Sequence, residues 1–185
     1  MDEKSLVTQV LAGEAGAFRL LVERHQRLVM HMITRVVDRP EDREELCQDV
    51  FLRVYDKLGE FAFQSKLSTW IATIAYRQAI NHLRKQKMKW SEIPEDDQWQ
   101  QRWGMTDTPG DLLEDAQQEE WVRMLIDQLP VQYRTVLTLY HLEHFDYREI
   151  GEATGMPEGT VKNYLFRARQ LLKEKVILWQ RSEKV

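Results

Sequence analysis

At 185 residues, with 43% apolar and 30% charged side chains, the chain suits one large domain or two small ones with modest cores. No run approaches the roughly 18 apolar residues that span a bilayer, and the acidic start Met1–Lys4 passes straight into a helical pattern, so neither membrane insertion nor a signal peptide is expected. One cysteine, Cys47, excludes an internal disulfide and fits a reducing, cytoplasmic setting.

Helical periodicity dominates and period-2 alternation does not persist, which predicts an all-α protein. A first helix is expected over about 3–12 and a second over about 15–37, the latter carrying Phe18, Leu21, Leu28, Met32 and Ile33 on its apolar side. Asp38-Arg39-Pro40 breaks that pattern, and Pro40 suits the first turn of a third helix over about 41–58, which ends at Gly59. A short loop, about 60–66, leads into a long helix over about 67–88. From about 90 to 117 the chain reads as linker, with Pro94, Gly104, Pro109 and Gly110 and little periodicity, although Trp99 and Trp103 are unusual in a plain tether. Helices follow at about 118–129, 131–142, 147–154 and 158–179. The expected architecture is two small helical domains, 1–89 and 118–185, joined by an acidic linker, 90–117.

The net charge of −4 conceals strong segregation. Five basic residues and no acid lie between Tyr76 and Lys89, and seven basic residues face two acids between Thr160 and Val185. Between those blocks, Trp90 to Glu120 holds ten acids against Arg102 alone. Two basic segments around an acidic connector suit two contacts with a polyanion; solvated helix faces joined by a solvated linker are the plainer alternative.

The most specific local pattern lies near the C-terminus. Asp146 with Glu149 forms a capping-box-like start, Ile150 and Ala153 supply the apolar side of a short helix, Gly155 falls where a tight turn needs positive φ, and Pro157 opens the next helix. That is a helix-turn-helix. On its second helix Val161, Leu165, Ala168 and Leu172 share one side, and Lys162, Asn163, Phe166, Arg167, Gln170 and Lys173 share the other. Amides suit adenine edges and cations suit guanine or phosphate, so Lys162, Asn163 and Arg167 are candidate base readers, with Phe166 exposed among them and Arg169 and Lys173 nearer the backbone.

Two helices of the first domain carry anomalous faces. On the third helix Leu52 stands among Glu45, Gln48, Asp49 and Asp56, opposite the apolar side, as a small docking site with a polar rim would. On the fourth, Lys66, Trp70, Thr73, Arg77, Asn81 and Arg84 share a stripe. An aromatic in a basic, amide-bearing row suits a nucleic-acid backbone and unpaired bases; the alternative is that Trp70 completes the core and the cations are solvated. No phosphate loop, dinucleotide fingerprint or nucleophile motif occurs, and His141 with His144 is too sparse for a metal site, so no enzyme, cofactor or metal is expected.

Taken together, the runs Glu45–Tyr55 (ELCQDVFLRVY), Phe61, Leu67–Ala75 (LSTWIATIA), Asn81–Arg84 (NHLR), Leu129-Pro130 and Gly159–Arg169 (GTVKNYLFRAR) resemble, in order and spacing, the extracytoplasmic-function sigma factors of bacterial RNA polymerase. The resemblance implies a region 2 domain up to about residue 89 and a region 4 domain from about 118. It implies that Glu45, Gln48, Asp49 and Leu52 meet the β′ clamp helices of core polymerase, with the β flap as a further contact. The loop and fourth helix would read and open the −10 element through Phe61, Lys66, Trp70, Ile74, Arg77, Asn81 and Arg84, with Phe61, Ile74 and Arg77 near a captured base. Lys162, Asn163, Phe166, Arg167, Arg169 and Lys173 would meet the −35 element. An anti-sigma factor is the implied regulator, and the free protein is expected as a monomer. Two departures stand out: Tyr164 where the family commonly has Arg, and Arg77 where it often has Asn. A stand-alone operator-binding repressor or activator remains the alternative, since it also explains the helix-turn-helix.

Overall fold

The computed structural model describes residues 2–89 and 123–182; the expected linker and the start of the helix expected at 118–129 lie outside the described residues. Among the described residues the regular structure is all helix, without a strand, in accord with the all-α expectation. The helices are α1 (Glu3–Leu11), α2 (Ala17–Thr34), α3 (Pro40–Lys57), a 3₁₀ turn (Leu58–Glu60), α4 (Leu67–Lys89), α5 (Val131–His141), α6 (Tyr147–Thr154) and α7 (Glu158–Ser182).

Local chemistry sets the boundaries. Asp2 caps α1 by accepting the Ser5 amide at 2.7 Å, and Pro40 occupies the first turn of α3, where its missing N–H costs nothing. Helix α2 is shorter than its sequence pattern at both ends. The Ala17 amide turns back to the Glu14 carbonyl, and the Val36 amide bonds Ile33 three residues back, tightening the last turn. Val36 and Val37 are nonetheless buried, which is why the apolar pattern overran the helix.

Helices α1–α4 enclose one core, with Leu21, Met32 and Ile33 of α2, Val50 and Val54 of α3, and Leu67, Ile71 and Ala75 of α4 buried together. Helices α5–α7 enclose a second set, including Val136, Leu139, Ile150, Val161 and Leu165. The two groups also meet directly, α4 against α6 and α2 against α5. Polar contacts tie that seam at several points. Arg134 Nη2 donates to Asp38 at 3.2 Å, Arg35 Nε donates to the Thr138 hydroxyl at 2.9 Å while its Nη1 bonds Asp127, and His31 Nδ1 lies 2.5 Å from Glu143 Oε1.

Candidate nucleic-acid interface

The helix-turn-helix forms as its sequence specifies. The Glu149 amide donates to Asp146 Oδ1 at 2.8 Å and the Asp146 amide donates to Glu149 Oε2 at 3.0 Å, closing a reciprocal cap. Gly155 ends α6 at φ 76°, a left-handed conformation that a Cβ would oppose. On α7, Val161, Leu165 and Ala168 are buried and Leu172 half-buried, while Lys162, Asn163, Phe166, Arg167, Gln170 and Lys173 are exposed. Phe166 is 60% exposed, so a large apolar ring is held in solvent between amide and cation donors.

Within that face the side chains differ in freedom. Lys162 pairs with Glu158 at 2.7 Å and lies over the Tyr147 ring; the hydrogen bond to Glu158 raises its ammonium pKa. Arg169 donates to His141 Nε2 at 3.2 Å and covers Tyr140, which requires an unprotonated acceptor nitrogen. Burial, then the neighbouring Arg169 charge, holds the His141 imidazole below its ordinary range. Tyr164 turns away from the exposed face and sits edge-on to Tyr133, ring centroids 5.0 Å apart.

In the first domain the loop residue Phe61 is buried, its ring 4.6 Å from Phe63 and 5.3 Å from Trp70. Trp70 and Ile74 are half-buried, whereas Arg77, Asn81 and Arg84 are exposed further along α4. The expected stripe therefore divides into an aromatic end near the loop and a basic, amide-bearing end. Sequence reasoning missed Phe63, which is 46% exposed at φ 56°, a backbone conformation unusual for a bulky residue. Its signal was the second aromatic of the Phe61-Ala62-Phe63 run. Lys66 is engaged: its Nζ lies 2.7 Å from Glu149 of α6, a hydrogen bond that raises its pKa.

On α3, Leu52 is 63% exposed and Glu45, Gln48 and Asp49 are exposed beside it, with Leu46, Val50 and Val54 buried behind. Tyr55, one turn on, is exposed as well and meets Phe18 edge-on at 4.9 Å, extending the apolar centre of the patch. Burial raises the half-buried Cys47 thiol pKa, which makes it a poor nucleophile.

Two family descriptions match the chain: Sigma-70 region 2 over residues 21–88, and Sigma-70 region 4 over residues 119–172. A sigma-E factor of Haemophilus influenzae is 32% identical across 95% of this chain and 96% of its own length. The chain belongs to the extracytoplasmic-function sigma factors. A sigma-H factor of Pseudomonas aeruginosa is 31% identical over 92% of each chain. Among solved folds, CnrH, determined with the cytosolic domain of CnrY, superposes at TM-score 0.65 with 18% identity over 95% of this chain and 97% of that one. RpoE of Bartonella quintana, determined with the anti-sigma factor NepR, superposes at 0.64 with 19% identity over 88% and 98%.

As a sigma factor the protein directs RNA polymerase to promoters. The operator-binding alternative explains the helix-turn-helix but neither the Trp70–Arg84 stripe nor the Leu52 patch, and the first domain that carries both matches Sigma-70 region 2. No described helix is long and apolar enough to cross a membrane.

Proposed function

We propose that three faces of this sigma factor divide the work of initiation. The α3 patch of Leu52, ringed by Glu45, Gln48 and Asp49, docks on the β′ clamp helices, with Leu52 as apolar anchor and the acids as its rim. The α7 face reads the −35 element from the major groove: Asn163 and Arg167 suit base edges, Phe166 suits a thymine methyl, and Lys162, Arg169 and Lys173 suit phosphates. The loop and α4 open the −10 element. Phe61, Phe63, Trp70 and Ile74 form an aromatic and aliphatic floor on which an unpaired base stacks, and Lys66, Arg77, Asn81 and Arg84 hold the strand. Captured bases offset the few kcal/mol that flipping costs, so strand opening needs no nucleotide hydrolysis and no catalytic group of the sigma factor itself.

One observation carries this reading: a single chain displays an acidic, leucine-centred face and two basic, amide-bearing faces on three separate helices. The same reading places the protein in the cytoplasm, on domains 1–89 and 118–185, under the control of an anti-sigma factor. RpoE of Bartonella quintana, a neighbour in fold, was determined with the anti-sigma factor NepR, which supports a partner of the same kind here.

The test is in vitro transcription from a genomic promoter library, with core polymerase alone and with this protein added. Transcripts that share a two-element upstream motif, and that appear only with the protein, are expected. Protection of a palindrome by the protein alone, without specific initiation, would overturn the reading.

A further inference from the structure

We propose that Tyr140 and Tyr147 are positioning residues for −35 binding: their stacked rings hold the Lys162 ammonium and the Arg169 guanidinium in place for the DNA phosphates. This role rests on the phosphate contacts assigned above to both cations, and adds what presets their side chains.

Tyr140 stands in the last turn of α5 and Tyr147 opens α6. The turn between those helices brings the two rings together, nearly parallel at 16° with centroids 5.4 Å apart. Lys162 Nζ lies 5.3 Å from the centroid of the Tyr147 ring, and the guanidinium carbon of Arg169 lies 5.1 Å from that of Tyr140. Both distances fall inside the roughly 6 Å reach of a cation–π attraction. A continuous row, Lys162–Tyr147–Tyr140–Arg169, thus joins two cations that stand about two turns apart on α7. Each cation keeps donors for DNA. Arg169 turns Nε and Nη2 to the His141 imidazole nitrogen, at 3.2 and 3.1 Å, which leaves Nη1 for an outside acceptor. Lys162 gives one hydrogen to Glu158 at 2.7 Å and keeps the others.

Lysine and arginine lose much rotamer freedom when they are fixed on a phosphate, and a side chain already held in place loses less. An aromatic ring holds a cation without cancelling its charge, whereas a carboxylate competes with the phosphate for it. Lys173, the third phosphate candidate, makes no cation–ring contact among the described residues and is therefore the internal reference. The plainer reading is that the tyrosines only pack α5 against α6. In that case ring shape matters and the electron density of the ring does not.

Electron density can be changed at nearly constant shape. In the full-length protein bound to core polymerase, Tyr140→Phe/Tyr147→Phe is compared with the same pair carrying fluorinated rings, which draw electrons from the π face. Salt titrations use a −35-bearing duplex from the transcription screen and a scrambled duplex of equal length. The unfluorinated pair is expected to bind within about twofold of the parent, because phenylalanine keeps the π face. The fluorinated pair is expected to bind about tenfold more weakly, with the salt slope reduced by about one unit. The loss is the same on both duplexes, since phosphate contacts carry no sequence. Lys162→Ala or Arg169→Ala added to the fluorinated pair costs little more, while Lys173→Ala adds its full loss. Unchanged affinity of the fluorinated pair, a loss confined to the preferred element, or an equal loss in the unfluorinated pair overturns the proposal. Lys162→Ala and Arg169→Ala in the parent separate the two possible failures. If they weaken binding and fluorination does not, only the tyrosine role falls; if they cost nothing, the phosphate assignment falls and the proposal with it.

Discussion

Phe63 holds a left-handed backbone at φ 56° and sets its ring 4.6 Å from that of Phe61, exposed at the mouth of the loop that leads into α4. A bulky residue in that conformation carries strain of about 1–3 kcal/mol, and such strain collects where a side chain is held for binding. Replacement by glycine separates the two effects. Phe63→Gly is expected to raise thermal stability modestly, by up to about 1 kcal/mol, because glycine adopts positive φ without penalty. The same variant loses a stacking surface worth about 1–3 kcal/mol per base, so permanganate reactivity of −10 thymines in the polymerase complex falls about tenfold or more. Reduced stability with unimpaired opening would assign Phe63 to the fold instead.

The α7 face separates readout from attachment. Lys173→Ala is expected to weaken −35 binding similarly for all sequences and to flatten the salt dependence by about one unit of slope. Asn163→Ala and Arg167→Ala are expected to cost about 1–3 kcal/mol on the preferred element and much less on scrambled DNA. Salt titrations of polymerase holoenzyme on both templates check the distinction.

Gly151 lies inside α6 where an added Cβ would stand 2.9 Å from the backbone carbonyl of Met156. The carbonyl belongs to the segment between the two helices, so it cannot swing aside as a side-chain tip would. Gly151→Ala is expected to cost about 1–3 kcal/mol by overpacking and to weaken −35 binding through displacement of α7. Urea unfolding followed by circular dichroism measures the cost.

The Thr135 hydroxyl on α5 is fully buried and has no hydrogen-bond partner among the described residues. An unsatisfied buried donor is expensive, and an apolar side chain of similar shape removes the penalty. Thr135→Val is expected to stabilise the protein by about 1 kcal/mol with transcription unchanged, as a thermal melt will show.

His25 brings a pH dependence. Burial holds its imidazole below the ordinary histidine range; its Nδ1–H bond to the Leu21 carbonyl at 2.9 Å and the charge of Glu3 partly offset this. The neutral ring is the one the fold prefers. Its contribution is therefore complete above about pH 6.5, the unfolded value, and is lost as pH falls through the lowered folded value. Urea melts at pH 7.5 and pH 5 should show a smaller acid loss for His25→Gln than for the parent; equal losses would remove His25 as a source.

Patterns confined to one helix were legible in the sequence. The capping residues Asp146 and Glu149, the left-handed Gly155 and the buried side of α7 all follow from local spacing and cap chemistry. So does the exposure of Leu52, because three apolar neighbours at helical spacing already define the opposite side as the core. What escaped was long-range. Nothing in local composition separates Lys66, which finds Glu149 83 residues away, from the solvated Arg77 on the same stripe. No periodicity marks Arg134 for the interior either, yet it is buried beneath a contact to Asp38 from another part of the chain. Trp70 fell between both of its readings: half-buried on Phe61, it closes the core on one side and remains available on the other.

The net charge of −4, concealing its cations in two blocks, has a consequence for how the protein searches a genome. A chromosome presents an immense excess of irrelevant duplex, and a factor that bound it unaided would be titrated away before it met its enzyme. An anionic chain whose Lys66 is already spoken for by a carboxylate is a poor competitor for that duplex. The excess of carboxylate over cation thus weakens the protein's own pull on irrelevant duplex, and leaves the general attraction for DNA to be supplied by the enzyme that carries it.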